Sequence, residues 1–237
     1  VKWFILFFLI GSCYVAAQSA STEDANGAIP NVVDSLYRED QFYIGLSFNL
    51  INNEPDAFTQ NGFSGGLHLG FIRDMPINKR RNRAIGVGIG LSTNTYNTNL
   101  LISQETNQEI VYQILDDNAQ VTTNRFNTNI VEIPIQYRWR TSTATNDSFW
   151  RIYTGVKLGY VFHHRARFVS DEAKFNITDI PQLNRLRYAA TLTLGNGSFN
   201  AFVQYNLNTL FDNNAVTVNG EFVNLQPIKF GIEFYLL

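Results

Sequence analysis

From residue 42 onward, apolar side chains return at every second position. They do so in eight segments, 42–50, 63–71, 85–91, 131–139, 150–162, 187–194, 199–207 and 228–236. In the third, Ile85, Val87, Ile89 and Leu91 alternate with Gly86, Gly88, Gly90 and Ser92. In the eighth, Ile228, Phe230, Ile232, Phe234 and Leu236 alternate with Lys229, Gly231, Glu233 and Tyr235. A period of two puts successive side chains on opposite faces of a strand. Eight such strands joined by turns close into one up-and-down barrel. The pattern predicts an all-β fold over 41–237.

Alternation leaves open which face points inward. A soluble lipocalin-like barrel buries its apolar set, and a transmembrane barrel turns that set toward lipid. The glycines favour lipid. Gly66, Gly70, Gly86, Gly88, Gly90, Gly155 and Gly159 share the polar face with Glu132, Arg138, Lys157 and Glu233. A solvated outer face has no use for missing side chains, which weaken strands. A narrow lumen holding long charged side chains does. Trp139 and Trp150 flank one turn, and Tyr96, Tyr137, Tyr160, Phe162 and Tyr205 sit at segment ends, as an interfacial girdle would. Charged residues make up only 16% of the chain, against about 25% in soluble domains. After residue 10 no apolar run approaches the ~20 residues of a spanning helix. The expectation is an eight-stranded antiparallel transmembrane β-barrel with long extracellular loops.

At the start, Lys2 precedes the apolar run Trp3 to Ile10, and Val15-Ala16-Ala17 offers a cleavage site before Gln18. This predicts a signal peptide over 1–17. The competing reading is a lipoprotein site acylating Cys13, the sole cysteine. Residues 18–40 are polar and aperiodic, a flexible leader. Connections alternate in length. Asp74 to Arg83, Arg140 to Ser148 and Asn196-Gly197 are short, whereas 51–61, 97–125, 164–184 and 211–226 are long. Short turns belong to the periplasm and long loops outside, so the N-terminus is expected to be periplasmic, at the outer membrane of a bacterial cell. The alternation in 110–115 and 215–218 predicts that these loops extend the barrel wall.

Several stretches resemble the PorT-like family of outer-membrane barrel proteins. They are GFIRDMPIN at 70–78 before a Gly-x-Gly-x-Gly strand, VEIPI at 131–135, GVKLGYV at 155–161, YNLNTLF at 205–211 and PIKFGIEFYL at 227–236. The resemblance implies an outer-membrane location. For the namesake branch it implies a role in type IX protein secretion, as a scaffold or accessory component of the assembly. It brings no catalytic residues.

No residue set spells out catalysis, a cofactor site or a metal site. Glu132, Arg138, Lys157, Arg187, Lys229 and Glu233 are expected on the lumen face, paired with one another as a structural network. His68 reads as a hydrogen-bonded lumen filler. His163 and His164 adjoin Arg165 and Arg167, with Asp171 and Glu172 nearby, which suggests a loop ion-pair cluster. With Ser170 they are also the one candidate set for a rim enzyme acting on lipid or peptide. Lys79, Arg80, Arg81 and Arg83 crowd one short turn, either a solvated neighbour of anionic headgroups or a docking turn for a periplasmic component. The net charge of −2 argues against nucleic acid. The expected partners are outer-membrane lipid and other secretion-system or envelope proteins.

Overall fold

The computed structural model describes residues 40–105, 108–116, 119–141 and 150–236. The segments expected to be a signal peptide and a leader, up to residue 39, and the alternative Cys13 site lie outside the described residues, as does most of the connection between Arg140 and Ser148. In chain order the strands are β1 (Gln41–Asn52), β2 (Gly65–Pro76), β3 (Arg83–Asn97), β4 (Leu100–Gln104), β5 (Ile110–Ile114), β6 (Val121–Arg140), β7 (Trp150–Ser170), β8 (Lys174–Ile177), β9 (Leu186–Asn196), β10 (Phe199–Asn206) and β11 (Gln226–Leu236).

Eight of them form a closed antiparallel ring, β1-β2-β3-β6-β7-β9-β10-β11, sealed where β11 pairs with β1 (Ile44 opposite Phe234) and β6 with β7 (Ile133 opposite Leu158). Each ring strand corresponds to one alternating segment of the sequence. The apolar face points out: Phe42, Leu46, Ile89, Trp150, Tyr160 and Phe230 are all exposed, while Glu132, Lys157 and Glu233 are buried. A soluble barrel would invert this arrangement.

Rings gather at both ends of the wall. Phe42, Trp150 and Phe199 are exposed beside the short turns, and Tyr160, Phe162, Tyr188 and Tyr205 beside the long connections. Tyr96, assigned to this girdle from its position at a segment end, is instead 2% exposed and points inward. The parity of β3 requires it, because Ile85, Val87, Ile89 and Leu91 occupy odd positions on the outer face and 96 is even.

The long connections do not simply prolong the wall. β6 and β7 do, pairing past the ring as far as Val121 opposite Ser170, with a bulge at Phe162 between Asn129 and Ile130. The stretch expected to extend it at 110–115 forms β5, which pairs with β4 in a separate hairpin. The stretch at 215–218 meets that hairpin through a Tyr112–Thr217 bridge and a Val218 N–H donated to the Tyr112 carbonyl at 3.0 Å. These segments turn inward because their apolar residues find partners there. Leu100, Ile102, Tyr112, Leu183, Leu210, Phe211, Ala215, Val223 and Leu225 bury against the inward-facing Tyr96, Phe126, Ile130 and Val161 of the wall. The outcome is an apolar cap at the long-loop end.

Outward apolar strands closed by continuous backbone pairing have a direct consequence. The detergent-extracted chain is expected to resist SDS at room temperature and to change apparent mass on boiling. Recovery as a soluble monomer without detergent would contradict the arrangement.

Candidate functional site

The lumen is filled from one end to the other by polar side chains that the strand parity directs inward. At the short-turn end Asp74 of β2 lies between two arginines of β6. Arg138 Nη1 donates to Asp74 Oδ1 at 2.8 Å, and Arg140 donates to both carboxylate oxygens at 2.8 Å each. All three side chains are fully buried. Arg138 also donates to Gln41 Oε1 and stacks its guanidinium 4.2 Å from the centre of the Tyr153 ring. Space for Arg138 comes from Gly86, where a Cβ would stand 2.7 Å from the Arg138 Cδ.

Further along, His68 Nε2 lies 3.0 Å from Glu233 Oε1, and the Tyr235 hydroxyl donates to Glu233 Oε2 at 2.9 Å. His68 meets the Phe202 ring edge-on at 4.9 Å. The Tyr43 ring reaches over Gly70, where a Cβ would come within 2.6 Å of its hydroxyl. Next, Glu132 accepts from Ser92 Oγ at 2.8 Å and pairs with Lys157 at 3.3 Å. What remains between this layer and the cap is a cavity of ≈ 10 Å³, about room for one water.

All six residues expected on the lumen face are there and buried, but their pairing differs from the mutual network anticipated. Only Glu132 and Lys157 pair with each other. Arg138 is held by Asp74, Glu233 by His68 and Tyr235, and Arg187 by the backbone carbonyls of Thr209 and Asn208. The key acid, Asp74, and Arg140 lie at what the sequence suggests are the edges of turns, but the structure places them in β2 and β6. Counting by twos from His68, Gly70 and Ile72 to Asp74, and from Arg138 to Arg140, would have put both inside.

At the other candidate site β7 separates the groups. His163 faces outward and is exposed, whereas His164 faces inward and is buried. Burial, and then the positive charge of Arg185, pushes the His164 imidazole below its ordinary pKa. Ser170 lies six residues along the same strand from His164, about 20 Å away; its hydroxyl bonds to Ala173 across the next turn. The three do not form a nucleophile–base pair. Arg165 and Arg167 project outward from the extended wall and form no ion pair with Asp171 or Glu172 among the described residues, so the expected cluster does not assemble. Among the described residues no three His, Cys, Asp or Glu side chains converge as metal ligands.

The basic turn is built onto the buried network. Lys79, Arg80 and Arg83 are exposed and Arg81 is half-buried. Arg140 Nε donates to the Arg81 carbonyl at 3.1 Å and the Arg140 N–H to the Asn82 carbonyl at 3.0 Å. Arg81 itself sits at φ 57°, in the left-handed region that a non-glycine residue enters at some cost. Asn78 Nδ2 donates to Asn82 Oδ1 at 2.6 Å across the turn. Four cationic residues are thus presented on a loop fixed to the same arginine that grips Asp74.

A family model described as outer membrane protein beta-barrel domain matches residues 16–222. No curated protein matches the sequence. Among solved structures the chain is similar to Ail, the attachment invasion locus protein of Yersinia pestis, determined in complex with the heparin analogue sucrose octasulfate. Identity is 12% over 84% of this chain and 99% of that one, with a TM-score of 0.36.

Proposed function

The chain belongs to the outer membrane protein β-barrel domain family, and from that premise we propose that it works as a non-enzymatic scaffold or accessory of an outer-membrane secretion assembly of the type IX kind. The short turns and the N-terminus face the periplasm in this reading, and the long connections face outward. One observation carries it. The exposed cations of the 79–83 turn ride on a backbone locked to the buried Asp74–Arg140 pair, so they present a fixed basic surface instead of a mobile loop. A surface organised in this way suits a protein partner, whereas neutralising headgroups needs only loosely held charge. The filled lumen supports the same reading, since it leaves the rims and outer loops as working surfaces. The sequence resemblance to the PorT-like family points toward secretion.

The test is a pair of variants scored for secretion, for co-purification of envelope proteins and for folding by the heat shift. Reversing Lys79, Arg80 and Arg83 to Glu is expected to leave the barrel folded, because exposed turn charges contribute little to stability, and to abolish partner contact and secretion. Replacing His163, His164 and Ser170 by Ala is expected to leave both intact. If the second variant is inactive and the first normal, with both folded, a rim enzyme replaces the scaffold.

A further inference from the structure

The small cavity below the cap is lined by three cations, Lys157, Lys229 and Arg187, and by one carboxylate, Glu132. Glu132 is already paired with Lys157. The next carboxylate, Glu233, is engaged by His68 and Tyr235. Arg187 spends its donors on the carbonyls of Thr209 and Asn208, which carry no net charge. Lys229 is 4% exposed, and its ammonium has neither an ion pair nor a hydrogen bond among the described residues. Thr128, 1% exposed on the same cavity wall, has a buried hydroxyl with no partner. Glu132 and Glu233 together set two negative charges against the three positive charges of Lys157, Lys229 and Arg187, so one positive charge is left over beside an unused hydroxyl donor. Ile130, Val161 and Leu210 of the apolar cap close the space on its outer side. A buried excess of positive charge is costly, and the carboxylates here meet that cost only in part.

We infer that this cavity binds a small inorganic anion of chloride size, held by Lys229 Nζ and Thr128 Oγ1 in the field of Arg187. The cavity has about room for one water molecule, which suits a monatomic ion better than a carboxylate, sulfate or phosphate. The ion is a structural counterion of the lumen, entering during folding or when the cap lifts.

The experiment compares thermal unfolding of the detergent-folded full chain in sodium chloride, sodium bromide and sodium gluconate at equal ionic strength. Halide is expected to raise the midpoint saturably, by roughly 5 °C at about a hundredfold excess over its dissociation constant, with gluconate flat. Lys229→Met, which keeps the length and removes the charge, should fold and lose the halide increment. Thr128→Val should weaken the halide dependence about tenfold. Bromide-soaked crystals of the unaltered protein should show an anomalous peak beside Lys229 Nζ. Equal midpoints in halide and gluconate, an increment that survives Lys229→Met, or crystals with no bromide in the cavity would each overturn the anion assignment in favour of a water-filled void. Should Lys229→Met fail to fold, the Thr128→Val titration and the bromide peak decide in the same way.

Discussion

Asp74→Ala is expected to destabilise the barrel by about 3–5 kcal/mol, the cost of stranding a buried ion partner. Here one carboxylate serves two guanidinium groups, and all three side chains are fully buried. Water cannot replace the lost acceptor without entering a lumen packed by Tyr153, Tyr235 and Gln41. Asp74→Asn retains one acceptor oxygen and should cost less, with the order Ala, Asn, unaltered in denaturant midpoints followed by tryptophan fluorescence and the heat shift. A triple change, Asp74→Leu with Arg138→Met and Arg140→Met, should recover most of the loss, since replacing an entire buried ionic group by apolar volume is often close to neutral. A stability within about 1 kcal/mol of the unaltered protein for Asp74→Ala alone would mean that the arginines have another acceptor. The same variant should loosen the 79–83 turn, because Arg140 holds the Arg81 carbonyl and the Asn82 carbonyl.

The ring of eight strands was legible because lipid imposes a strict rule on every lipid-facing position. A period-two pattern maintained over Phe42 to Leu50 or Ile228 to Leu236 has no other regular solution. The glycines were legible for a related reason. Gly86 and Gly70 are explained by what lies over them, Arg138 and Tyr43, and large side chains on one face of a narrow barrel call for absent ones opposite. The residues hardest to place are those where a local signal competes with parity. Asp74 before Met-Pro and Arg140 before a polar run look like turn residues, yet both continue the inward register of their strands. Tyr96 looks like a girdle residue until the even positions of β3 are counted. The cap was not legible at all as a cap. Alternation in 110–115 predicts a strand, and a strand forms over Ile110–Ile114, but the choice between joining the wall and folding over the mouth rests on contacts such as Tyr112 against Phe211, 99 residues apart in the chain. Separations of that order leave no trace in local periodicity.

In planar bilayers the protein is expected to show no steady conductance, and loosening the cap alone should not create one. Two obstructions stand in series. The first is the cap, centred on Phe211, which is 1% exposed and lies 5.4 Å from the Tyr112 ring and 5.5 Å from the Phe126 ring. The second is the lumen filling below it, from Glu132–Lys157 through His68–Phe202 to Asp74–Arg138–Arg140. Phe211→Ala removes about 3–5 kcal/mol of packing, most of it from contacts made by the connections. The loss therefore appears as local opening, since regions of a fold can open with separate free energies. Proteolysis within 97–121 and 206–226 should accelerate at least about tenfold, while the SDS-resistant band and its heat shift persist. Current should still be absent, because side chains nearly fill an eight-stranded interior and none of the lumen pairs depends on Phe211. Ions should pass only when Phe211→Ala is combined with truncation of every layer of the filling, Glu132 with Lys157, His68 with Phe202, and Asp74 with Arg138 and Arg140. Ohmic conductance from the unaltered barrel, or from Phe211→Ala by itself, would show that the polar filling is a gate that moves aside and not a plug.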